Sequence, residues 1–94
     1  MNSQPNDKQE LIDTLRQLVA VKPQSLPELK QLETLSAEVA RHAASELAGR
    51  LEIPESVWHF LADPDIRYKD PSYAAVQLAE LEQVLARWQD ASAA

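Results

Sequence analysis

The sequence predicts an all-α fold, a small antiparallel helical bundle of three long helices plus one short helix, from three features. Hydrophobic residues make up 45% of the chain, too many for intrinsic disorder. Leu, Ala, Glu and Gln are abundant while glycine occurs once, a composition that favours helix almost throughout. Apolar residues recur at spacings of 3, 4 and 7, and proline or glycine interrupts each stripe, so successive helices should lie antiparallel to one another. Ninety-four residues are enough for one domain with one core. We expect a disordered lead over residues 1–5, a single helical domain over 6–90 and a frayed tail over 91–94.

The first helix should start at Asn6 or Asp7, where Asp7 and Glu10 have the spacing of a capping box. Leu11, Ile12, Leu15, Leu18 and Val19 form its apolar stripe. It should stop near Val21, because Lys22 precedes Pro23 and is biased away from helical dihedrals. Ser25 opens the second helix as N-cap, with Pro27 tolerated in the first turn and Glu28 at the third helical position. Nothing breaks that helix before Gly49, which reads as a left-handed C-cap, so it should be the longest element at about 35 Å. Its stripe is Leu29, Leu32, Leu35, Val39, Ala43 and Leu47.

A short third helix begins at Pro54 and crowds Val57, Trp58, Phe60 and Leu61 into about two turns, so burial must hold it. Asp63-Pro64 and Asp70-Pro71 each set a capping carboxylate before a proline, which predicts one helical turn around Ile66 and a fresh start at Asp70. The last helix should run from Pro71 to about Gln89, with Ala74, Leu78, Leu81, Leu85 and Trp88 inward.

Charge narrows the function. Fifteen acidic against nine basic residues leave a net charge of -6, unfavourable for the phosphates of nucleic acid and for an anionic membrane. Without cysteine there is no disulfide, thiolate nucleophile or Cys-bound zinc. The start MNSQPNDKQE has no apolar segment of a secretory signal, so a cytoplasmic protein is expected. One glycine leaves few tight backbone turns from which to build an oxyanion hole or phosphate cradle, and no catalytic motif is recognisable. We expect no enzymatic activity and no cofactor.

The stretch from Ile53 to Tyr73 holds four of the five aromatic residues and three of the six prolines. Buried, Trp58 and Trp88 would anchor the C-terminal half of the core. Exposed, Trp58, Phe60, Arg67, Tyr68 and Tyr73 are the residue types that dominate protein interfaces, on an irregular segment where binding usually sits. The expected function is therefore protein–protein interaction, as an adaptor or regulatory protein, either with another protein or with itself. For self-association, Leu29, Leu32, Leu35 and Val39 offer a seam to a twofold mate.

A contrasting reading is a metal-binding protein. His42 lies four residues from Glu46 and from Glu38, and His59 lies four from Asp63, so His42, Glu46, His59 and Asp63 could supply two imidazoles and two carboxylates. Surfaces rich in Glu produce such pairs by accident, and nothing sets one pair opposite the other. Asp63, Asp65 and Asp70 lack the glycine and the terminal Glu of a calcium loop. A small acidic four-helix domain with a serine opening its second helix is similar in outline to acyl and peptidyl carrier proteins. Their Asp-Ser-Leu motif is here Gln24-Ser25-Leu26 followed by Pro27, and the N-cap role accounts for Ser25.

Overall fold

Proline and capping chemistry divide the chain much as expected. The structure is a computed structural model that describes residues 7–93, with side chains through Asp90. It contains α1 (Asp7–Ala20), α2 (Leu26–His42) continued by a π-helical turn (Ala43–Leu47), α3 (Glu55–Ala62), α4 (Pro64–Lys69) and α5 (Pro71–Ala93), and no strand among the described residues. The fold is thus a small all-α bundle, with α4 as the turn expected around Ile66. The expected lead at 1–5 lies outside the described residues, as does Ala94 of the expected tail. The backbone of α5 stays helical through Ala93, past the expected stop at Gln89.

Local chemistry explains most boundaries. Ser25 has extended dihedrals and its Oγ accepts from the Glu28 N–H at 3.4 Å, while Glu28 Oε1 accepts from the Gln24 N–H at 2.7 Å. Asp70 Oδ1 accepts from the Tyr73 N–H at 3.1 Å and so caps α5. Two capping expectations fail, and the second helix is not the longest element, α5 being longer at 23 residues. Asp63 makes no capping bond with its side chain, because the carboxylate is engaged elsewhere in the fold. Gly49 does not take the left-handed conformation. The second helix ends by widening into the π turn, in which the Ala48 N–H reaches back to the Ala43 carbonyl at 2.8 Å and both Ala43 and Leu47 stay buried.

Helices α1 and α5 run antiparallel, as the pairs Arg16 with Glu82 at 3.0 Å and Gln9 with Gln89 at 3.4 Å show. Lys8 lies over the Trp88 ring at 5.3 Å on the same interface. Leu11, Ile12, Leu15 and Leu18 from α1 meet Leu32, Ala43 and Leu47 from the second helix, then Val57, Phe60 and Leu61 from α3 and Leu81 and Leu85 from α5. Phe60 is the aromatic residue sealed inside; Trp58 and Trp88 are half-buried against this core. Leu29 and Leu32 are also buried within the chain and Val39 packs on the core, so the seam expected for a second copy is mostly used internally. Only Leu35, 49% exposed, points outward from it. No helix among the described residues is long and apolar enough to cross a membrane.

Candidate functional site

The short helices α3 and α4 and the first turns of α5 fold back on one another, and this brings four polar side chains together. Asp63 ends α3, Arg67 lies on α4, and Tyr73 and Gln77 sit one turn apart on α5. Tyr73 Oη donates to Asp63 Oδ2 at 2.6 Å, and Gln77 Nε2 donates to the same oxygen at 3.0 Å and to Tyr73 Oη at 3.1 Å. Arg67 Nη1 donates to Gln77 Oε1 at 2.7 Å and to the Phe60 carbonyl at 2.6 Å. The guanidinium also stacks on the Phe60 ring, 4.1 Å from its centroid.

Burial dominates the electrostatics of Arg67, lowering its pKa from the ordinary arginine value, while the charge of Asp63 opposes that shift. The hydrogen bond to Asp63 pushes the Tyr73 hydroxyl above its usual value, since ionisation would forfeit the donated proton. Each side chain in the group thus holds the next in place.

A cleft of about 240 Å³ opens beside this network, between the α1–α2 connection and helices α4 and α5. Leu18, Leu32, Phe60 and Pro64 form its buried floor, and Val19 and Leu78 extend it. Val21, 43% exposed, and Tyr68, 36% exposed, stand at its rim. The charged residues that line it are Lys22 and Arg67, and no carboxylate side chain does so among the described residues.

The structure therefore sorts the five residues expected at an interface. Arg67 and Tyr68 line the cleft and Tyr73 anchors the network behind it. Phe60 is only 1% exposed and its ring is committed to the core and to Arg67, so it contributes to the cleft as floor and not as a surface residue. Trp58 lies apart, half-buried in a shallow groove between the second helix and α3 beside Ala37 and Arg41.

Lys22, Val19, Val21 and Gln77 were not among the interface candidates read from sequence. Gln77 carried a readable signal: it occupies the row Gln77, Leu81, Leu85, all buried, where a polar side chain needs partners.

His42 and His59 are both exposed. His42 shares a groove with Glu38, Glu10 and Asp7, but Asp7 pairs with Arg50 at 2.9 Å. Among the described residues no three His, Asp or Glu side chains gather as a metal-ligand set, and Asp63 already accepts two hydrogen bonds. His42, Glu46, His59 and Asp63 are not brought together. No protein-family model, curated protein or solved structure matches the chain.

Proposed function

We propose that the chain is a non-catalytic binding module that engages a protein partner through the cleft between the α1–α2 connection and α4–α5. The observation that carries this reading is the cleft itself, an apolar floor open to solvent with Val21 and Tyr68 exposed at its rim and Arg67 oriented at its side. At about 240 Å³ it is smaller than the space a drug-sized ligand occupies, and it suits one or two side chains of a partner. Tyr and Arg are enriched among residues that dominate binding energy, in part because they offer large contact areas with a polar end. The hydrogen-bonding side chains at the cleft are a guanidinium, an ammonium and a phenol, and neither histidine lines it. Those groups donate hydrogen bonds and suit recognition of a partner.

A photo-crosslinking amino acid placed at Tyr68, with another placed at Leu35 for comparison, tests the assignment. Leu35 is more exposed than Tyr68 but lines a separate groove on the second helix. A discrete adduct from Tyr68 that disappears on Val21→Glu, with none from Leu35, is the expected result. Adducts from Leu35 alone would move the interface to the second helix, and a product of twice the chain mass there would make the partner a second copy.

A further inference from the structure

The way Arg67 is held narrows the chemistry of the partner. One face of its guanidinium lies on Phe60, and both hydrogens of Nη1 are taken by the Phe60 carbonyl and Gln77 Oε1. Gln77 cannot swing away, because Asp63 and Tyr73 hold its amide nitrogen. A guanidinium is a rigid plane, so fixing one face and one amino group also fixes the direction of the edge formed by Nε and Nη2. That edge makes no hydrogen bond among the described residues. It is a preorganised, partly desolvated fork, the geometry that pairs with a carboxylate.

Lys22 adds a second cation across the same cleft. The chain as a whole has fifteen acidic and nine basic residues, so a lining with two cations and no carboxylate runs against the surface average. Screening weakens charges farther than roughly 8 Å, and of the nearer ones Asp63 and Asp65 act on Arg67 without lining the cleft. Resting on the binding-cleft reading above, we propose that the cleft recognises an acidic peptide segment of the partner. An apolar side chain of that segment fills the space over Leu18, Val19 and Leu78, and a neighbouring Asp or Glu carboxylate meets the Nε–Nη2 edge of Arg67 and the Lys22 ammonium. The open rim with Val21 and Tyr68 lets the peptide chain continue past the anchor, which a closed small-molecule pocket would not.

The test is an NMR titration of the full-length ¹⁵N-labelled chain with acetyl-Ala-Leu-Glu-Leu-Ala-amide, its Gln counterpart, and hexanoate. The Glu peptide should shift the Val19, Val21 and Leu78 amides and the Arg67 Nε–H, and bind about tenfold tighter than the Gln peptide, the worth of one charge-assisted pair. Lys22→Glu changes an exposed side chain and leaves the core alone, and it should weaken the Glu peptide severalfold more than the Gln peptide. Arg67→Lys keeps the charge but loses the fork, and should remove most of the preference between the two peptides. Equal binding of both peptides in the cleft would overturn the carboxylate assignment and leave the binding-cleft reading standing. No cleft shift from either peptide at millimolar concentration would overturn the acidic-peptide proposal, whereas failure of the Tyr68 crosslink would overturn the cleft reading itself. Shifts from hexanoate alone would replace the peptide with a small carboxylate ligand.

Discussion

Replacing Gln77 by Leu separates two ways of reading α5. By hydrophobic periodicity the change extends the row Leu81, Leu85 by one apolar residue and should stabilise the helix packing. By the structure it removes two charge-assisted hydrogen bonds, from Arg67 at 2.7 Å and to Asp63 at 3.0 Å, and leaves both partners behind. Such a bond contributes about 1.5–3 kcal/mol when buried. Arg67 and Asp63 are each half-buried and can turn partly to water, which brings the loss down to about 1 kcal/mol apiece. The leucine returns about 1 kcal/mol through roughly 40 Å² of added apolar burial. The net expectation is destabilisation by about 1 kcal/mol for Gln77→Leu and about 2 kcal/mol for Gln77→Ala, which has no such return. Urea denaturation followed by helical circular dichroism and tryptophan fluorescence measures both. With a slope near 1 kcal/mol/M the midpoints should fall by about 1 M and 2 M. A double-mutant cycle with Arg67→Met should give a coupling of about 1 kcal/mol. A Gln77→Leu midpoint higher than that of the parent chain, or a coupling of zero, would refute the reasoning and reduce the network to incidental contacts.

Three further perturbations probe other parts of the fold. Ser36 is fully buried and its Oγ has no hydrogen-bond partner, so Ser36→Ala should stabilise by about 1 kcal/mol, a rise of about 4–8 °C in Tm by calorimetry; a fall would show that the hydroxyl is bonded in solution. Leu35→Glu places a charge on an exposed position and should leave stability within about 0.5 kcal/mol; analytical ultracentrifugation should find the same particle mass as before, and a halved mass would assign Leu35 to a dimer interface. Tyr73 has its pKa raised above 10.0 by its bond to Asp63, so the native state holds that proton more tightly than the unfolded chain does. The stability this contributes is complete below pH 10 and is lost as pH rises through the native value. Urea midpoints of the parent should therefore fall more steeply above pH 10 than those of Tyr73→Phe, and parallel curves would contradict the assignment.

The two Asp-Pro steps show where sequence reading succeeds and where it stops. Both place a carboxylate before a proline at a helix start, and locally they are equivalent. Asp70 acts as read because its acceptor is satisfied three residues away, by the Tyr73 N–H of the helix it begins. Asp63 departs because Tyr73 Oη and Gln77 Nε2 arrive from α5, ten and fourteen residues on, and a phenol and an amide donating together displace the local capping bond. Caps and stripes depend on neighbours in sequence and were legible for Ser25, Asp70 and the rows of α1 and α5. The end of the second helix was not, since the π turn that keeps Leu47 in the core answers to packing and leaves Gly49 no cap to make.

Phe60 illustrates the same boundary in the candidate site. An aromatic residue two positions from Trp58 on a short helix must leave one of the two less buried, but periodicity over eight residues cannot decide which. The structure assigns the interior to Phe60, and the consequence is chemical as well as steric: its carbonyl and ring become two of the three fixtures that orient Arg67. An arginine on a six-residue helix next to two acidic residues reads as a solvated surface charge, and by itself α4 would make it one. What converts Arg67 into a directed donor is Gln77, a polar side chain inside an apolar row. That one mismatch between residue type and position is visible without coordinates, since a buried amide must be answered by donors and acceptors from another element. It marks where a tertiary polar network has to lie, and in this chain the network lies beside the cleft lined by Lys22, Arg67 and Tyr68.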